Sequence, residues 1–121
     1  MTARKLIATE YSYAATLVRV VDADTIDVVL DLGFHVTYAT RLRLLGLNAP
    51  EMSTPEGVAA RDWVVSWLAR RARDGRVRVI SRKPEGDADK YGRYLAYIIS
   101  VDGSCLNKDL LSAGQAVPYN P

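Results

Sequence analysis

The period of the apolar residues changes twice along this chain, and that change limits the folds open to it. LVRVV (Leu17–Val21), TIDVVL (Thr25–Leu30) and VTYATRLRLLGL (Val36–Leu47) are rich in β-branched residues or alternate apolar with polar, as strands do. STPEGVAARDWVVSWLARRA then switches to helical spacing, with Ala60, Trp63, Val64, Trp67 and Leu68 on one core-facing stripe. Ser53 or Thr54 offers an N-cap and Pro55 suits the first turn. Arg70, Arg71 and Arg73 end the helix where cations suit its dipole. The strand period returns in RVRVISR (Arg76–Arg82) and RYLAYIISV (Arg93–Val101). CLNKDLLSAG then reads as a short second helix ended by Gly114.

The connections follow from turn chemistry. Residues 1–13 have no clear period and are expected to form an arm or a short leading strand, with the β pattern starting at Ala15. DAD, after Val21, is either a bend or bulge in one long strand or a tight turn between two. LDLGF carries the next turn, with Gly33 free to take positive φ. KPEGDADKYG is a polar loop, Asp102-Gly103 is a turn signal, and the tail QAVPYNP has no helical pattern. The order is three strands, a helix, two strands, a helix. That predicts an α+β chain, mainly β: a five-stranded Greek-key barrel with a helix after strand 3 and a second short helix near the C-terminus, the order of an OB-fold. The 121 residues suit one domain over 1–121, with a core over about 15–119. Such barrels host many functions, so fold alone does not name one.

Composition removes some classes. Apolar residues are 49% and charged residues 25% of the chain, an ordinary globular balance. No apolar run nears the ~20 residues of a membrane-spanning helix. Leu6-Ile7-Ala8 is too short for the core of a signal peptide, so an intracellular protein without a membrane partner is expected, although a processed secreted form would look the same. Cys105 is the single cysteine, which excludes an intramolecular disulfide and reads as a packed thiol. His35 beside the Gly33 turn reads as an exposed loop residue. The net charge of +2 permits a polyanion partner without arguing for one.

Three clusters can carry chemistry. In VVDADT, Asp22 and Asp24 are two residues apart, so on an extended chain they face one side, and such hard oxygens suit Ca²⁺ or Mg²⁺; either is also ordinary at a turn. In RLLGLNAPE, Arg43 and Glu51 stand at the two ends of a strand-to-loop exit closed by Pro50. In DKYGRYLAYI, Arg93 opens an apolar strand and Tyr91 lies two residues before it. Taken singly, each has a plain structural reading. Together they are the inventory of phosphodiester chemistry: a hard cation, a carboxylate to activate water, and guanidinium groups for the charge growing on phosphoryl oxygens.

DADT, RLLGLNAPE and DKYGRYLAYI also resemble, in order and spacing, the signature segments of staphylococcal-nuclease-like enzymes (thermonucleases), and Asn107 and Gly114 resemble that family's next helix. The resemblance covers roughly residues 17 to 119 and is most specific in the second and third segments. It implies an OB-fold barrel with helices that cuts DNA and RNA with a divalent cation, most often Ca²⁺, with Mg²⁺ or Mn²⁺ as alternatives. It implies phosphate-clamping roles for Arg43 and Arg93 and a general-base role for Glu51. Asp24 resembles the principal metal-ligating aspartate, the Ala49 carbonyl a further ligand, and Asp22 an aspartate near the metal. Tyr91 resembles a phosphate-contacting tyrosine, and Tyr119 more loosely resembles another active-site tyrosine. A monomer is expected.

Three departures qualify the likeness. Asn48 stands where the family usually has a second metal-ligating aspartate, Ala23 stands where it has glycine, and the type member's third helix is expected to be missing or vestigial. An amide oxygen can ligate Ca²⁺, so Asn48 keeps the ligand and loses its charge, which weakens cation binding. Two functions from different classes follow: a metal-dependent nuclease, or a catalytically weakened or inactive OB-fold module that binds single-stranded nucleic acid. Tyr38, Tyr91, Tyr94 and Tyr97 are the aromatics available to stack on bases in the second case. A protein-interaction barrel is a third, plainer reading.

Overall fold

The computed structural model describes residues 11–81 and 94–119. In chain order the elements are β1 (Tyr11–Asp22), β2 (Thr25–Gly33), β3 (Val36–Leu44), β4 (Leu47–Asn48), α1 (Pro55–Arg71), β5 (Arg76–Ser81), β6 (Tyr94–Ile99), α2 (Leu106–Ser112) and β7 (Val117–Pro118). Five of the strands close a barrel in the order β1-β2-β3-β6-β5, while β4 and β7 form a separate two-stranded sheet. The β3–β6 pairing is parallel and the other barrel pairings are antiparallel. This is the expected OB-fold: a mainly β, α+β architecture with two helices.

Alternation decides which side chains fill the barrel. Ile26, Val28 and Leu30 of β2, Leu42 and Leu44 of β3, Val77 and Val79 of β5, and Ala96 and Ile98 of β6 are all buried. Asp27 and Arg41, one residue out of step, pair with each other on the outer face at 2.7 Å. The α1 stripe is also as expected: Ala60, Val64, Trp67 and Leu68 are buried, and Trp63 packs partly buried against them. A buried aliphatic or aromatic side chain of this kind contributes about 1.5–3 kcal/mol. Trp67 has a polar handle as well, its Nε1 donating to Asp109 at 2.9 Å and so tying α1 to α2. Thr54 is the N-cap, its hydroxyl accepting from the Gly57 N–H at 3.1 Å.

Several boundaries differ from expectation. β1 begins at Tyr11, four residues before Ala15, because Tyr11 to Thr16 pair with β5. The third strand does not run to Leu47. It ends at Leu44, Gly46 turns the chain at φ 89°, and Leu47–Asn48 then pair with Val117–Pro118. VDADT is a tight turn, since Asp22 pairs with Thr25. The β2–β3 turn is not carried by Gly33 alone: Phe34 and His35 also take positive φ, and His35 is exposed. The last barrel strand stops at Ile99, two residues short of Val101. Arg82, the KPEGDADKYG loop and Arg93 lie outside the described residues. Among the described residues, no helix is long and apolar enough to cross a membrane.

Candidate active site

Asp22, Asp24, Arg43, Asn48, Ala49, Pro50 and Glu51 line one cavity of about 390 Å³. The fold explains why they meet. Asp22 and Asp24 belong to the turn joining β1 to β2, and Arg43 sits opposite Thr25 in the β2–β3 ladder. The chain leaving β4 crosses in front of that turn and is held there. The Ala49 N–H donates to Asp24 Oδ2 at 3.0 Å, and the Leu44 N–H donates to the Asp24 carbonyl at 2.8 Å. Thr25 Oγ1 donates to Asp24 Oδ1 at 3.1 Å. The Asp24 carboxylate is therefore oriented by Ala49 and Thr25, and its backbone by Leu44.

Arg43 is the cation of the cavity. Its Nη2 lies 3.6 Å from Asp24 Oδ2 and donates to the amide oxygen of Asn48. The guanidinium also lies over the ring of Tyr119, 5.5 Å from the centroid. Tyr119 reaches this position because β7 pairs with β4 and the Tyr119 N–H donates to the Gly46 carbonyl at 2.9 Å. One arginine thus touches an anion, an amide and an aromatic face, which removes most of its rotamer freedom.

Glu51 reaches the same cavity from a fixed backbone and an exposed side chain. Thr54 donates to the Glu51 carbonyl through both its N–H (3.0 Å) and its hydroxyl (2.7 Å). The first turn of α1 packs directly on this carbonyl. A Cβ on Gly57 would stand 1.9 Å from the Glu51 oxygen, so only glycine permits the approach.

The two aspartates are electrostatically unequal. Burial, helped by the hydrogen bond and charge of Asp24, pushes the Asp22 carboxyl up to about 6. Burial also opposes ionisation of Asp24, but the hydrogen bonds with Asp22 and the Ala49 N–H, the Arg43 charge and the Thr25 hydroxyl outweigh it and hold Asp24 below its usual value. Asp22 Oδ1 is buried without a hydrogen-bond partner among the described residues. An orphaned carboxylate oxygen beside an ionised carboxylate and an amide oxygen is a donor set of hard oxygens, and it fits a divalent cation. It is poor in charge: among the described residues no three His, Cys, Asp or Glu side chains are grouped to hold a metal.

Asp22, Asp24, Arg43, Asn48, Ala49, Glu51 and Tyr119 are thus gathered in one place. Ala49 meets Asp24 through its N–H. Arg93 and Tyr91 lie outside the described residues. Sequence reasoning missed the support. Thr25, Thr54 and Gly57 hold Asp24 and Glu51, and a glycine in the first turn of an otherwise strong helix was the available signal for the last. Asn107, seen only as part of a helix, is buried with its amide donating to the Leu45 and Ala96 carbonyls, both at 3.0 Å, and accepting from the Ile98 N–H at 3.1 Å. It fixes α2 and β6 to the turn that leads into Asn48.

Strand order, the parallel β3–β6 pairing and an acid-and-arginine cavity at the β1–β2 turn define the class: an OB-fold barrel with a charged pocket at its strand ends. The sequence matches the family described as staphylococcal nuclease homologue over residues 41–120, and the chain belongs to that family. Two curated relatives, each named "Uncharacterized endonuclease", come from Escherichia coli O157:H7 and from Escherichia coli. Each is 32% identical over 103 residues, covering 85% of this chain. The match covers 59% of the relatives' own length.

Proposed function

We propose that this protein is a nuclease that hydrolyses phosphodiester bonds of DNA or RNA with the help of a divalent cation. Family membership and the endonuclease name of the relatives support the coarse reading. The observation that carries the finer one is the sharing of one cavity by Glu51, Arg43 and the Asp22–Asp24 pair. A carboxylate that takes a proton, a cation that meets an anion and hard oxygen ligands are the parts such a reaction needs.

The roles follow from the chemistry of each group. Glu51, exposed on a fixed backbone, accepts the proton of the attacking water. Arg43, and Arg93 by resemblance, donate to the phosphoryl oxygens as negative charge grows there. Asp24, Asp22, the Asn48 amide oxygen and the Ala49 carbonyl would hold the divalent cation, Ca²⁺ in the first instance and Mg²⁺ or Mn²⁺ as alternatives. When bound, it polarises the phosphate and screens the approach of the nucleophile. Tyr119, and Tyr91 by resemblance, contact the substrate beside the arginines.

One observation favours a second reading, a barrel that grips single-stranded nucleic acid without cutting it. Arg43 occupies the Asn48 amide oxygen, and among the described residues the cavity offers two aspartates to a metal. The discriminating experiment is incubation of heat-denatured DNA and of RNA with the purified protein in millimolar Ca²⁺, Mg²⁺ or Mn²⁺, with EDTA as control. Metal-dependent fragmentation supports the nuclease. Retained binding without fragmentation in any metal supports the second reading.

A further inference from the structure

A second, smaller cavity of about 220 Å³ adjoins the charged one. One wall is Asn48, Ala49 and Pro50, three residues that also line the charged cavity. The other is Gln115, Ala116 and Val117. The walls are fixed to each other, because Asn48 pairs with Val117 in the β4–β7 ladder. The end of α2 fixes Gln115: Gly114 takes φ 73°, and the Gln115 N–H donates to the Leu110 carbonyl at 3.1 Å.

The shape and chemistry of this slot are specific. It is smaller than the ~300 Å³ at which sites for drug-sized ligands begin, so it admits about one ring system. Ala49, Pro50, Ala116 and Val117 give it apolar walls. Gln115 is half-buried, and among the described residues its side-chain amide makes no hydrogen bond. An occupant that reaches both cavities must join a planar apolar body to an anion over the short width of the Asn48–Pro50 strip. A nucleotide has that form: base, sugar, phosphate.

We propose that this slot takes the base of the nucleotide next to the phosphate held at Arg43, with the apolar walls against the base faces and the Gln115 amide reading its edge. The proposal rests on the nuclease reading for the position of the phosphate. An amide presents a donor and an acceptor side by side, the pattern that pairs with an adenine edge, so adenine is the expected first choice. Stacking on aromatic side chains is worth about 1–3 kcal/mol per base, and these aliphatic walls belong at the lower end, about tenfold in rate or affinity.

The test uses single-stranded oligonucleotides with one natural phosphodiester and methylphosphonates elsewhere. The flanking base is adenine, cytosine, guanine, thymine or an abasic sugar. Cleavage in Ca²⁺ is measured for the wild type and for Gln115→Leu, and binding of the same oligonucleotides by fluorescence anisotropy. The expected result is about tenfold slower cleavage of the abasic substrate and a ranking of the four bases that Gln115→Leu flattens. Equal cleavage of all five substrates by the wild type overturns the slot and leaves the nuclease reading standing. If nothing is cut, the nuclease reading falls and the slot is judged on binding alone. A tighter grip on base than on abasic sites, weakened by Gln115→Trp, supports it, and equal affinities overturn it.

Discussion

A Cβ on Gly57 would stand 1.9 Å from the carbonyl oxygen of Glu51. The first turn of α1 therefore rests on the backbone of the residue proposed as general base. Gly57→Ala ordinarily gains about 1 kcal/mol in a helix interior. Here the contact is with backbone, which cannot rotate away, and overpacking of this kind costs about 1–3 kcal/mol. The expected outcome is a net loss of stability in urea unfolding and slower cleavage, because Glu51 shifts. A stabilised variant of full activity would contradict the contact.

Asn48 removes a charge from the cavity and accepts a hydrogen bond from Arg43. Asn48→Asp restores the charge. At an effective dielectric near 20, two unit charges about 4 Å apart interact by about 4 kcal/mol, and solvent and competition from Arg43 offset much of it. Calorimetric titration with Ca²⁺ should show the variant binding at least about tenfold more tightly. Unchanged or weaker binding would mean that Asn48 faces Arg43 alone and lies outside the cation shell.

Asp22 makes stability depend on pH with an unusual sign. Its carboxyl is raised from 3.8 to about 6, by burial first and by Asp24 second. A raised carboxyl holds its proton more tightly in the folded chain than in the unfolded one. Its contribution is therefore most favourable below the unfolded value and is lost as pH rises through 6. Asp22→Asn removes that loss. In urea unfolding with EDTA present, the stability of Asp22→Asn relative to wild type should grow from pH 4 to pH 6 and then level off. A flat difference across that range would contradict the burial of an unpartnered Asp22 oxygen.

Asn107 answers two carbonyls and one N–H with a single amide, and the Ala96 carbonyl also accepts from the Leu45 N–H. Each group left unsatisfied in the interior costs about 1–3 kcal/mol. Asn107→Ala should destabilise the protein by about 2 kcal/mol or more, and Asn107→Asp, which sets a buried carboxylate oxygen against the Leu45 and Ala96 carbonyls, should cost at least as much. Near-normal urea midpoints for both would contradict the role.

The barrel was legible because alternation in TIDVVL, TRLRLL and RVRVIS is a local property and β3–β6 closure follows from strand order. The α1 stripe was legible for the same reason. The break after Leu44 was not, because RLLGLN stays apolar across it and only the pairing of Leu47–Asn48 with Val117–Pro118 reveals two strands. The early start of β1 is also a pairing effect: polar Tyr11 to Tyr13 become strand only because β5 offers partners. At the site, the residue types could be read from the sequence, but the contacts could not. The Arg43 hydrogen bond to Asn48, the Tyr119 ring under Arg43 and the Gly57 approach to Glu51 all depend on how segments pack.

The central claim is that Glu51 takes the proton of the attacking water. Its most direct test is single-turnover cleavage of single-stranded DNA by the wild type and by Glu51→Gln in the same divalent cation, with substrate affinity measured beside it. The account predicts a rate reduced by about a hundredfold or more, as loss of a general base gives, with affinity nearly unchanged. Equal rates for the two proteins would contradict it.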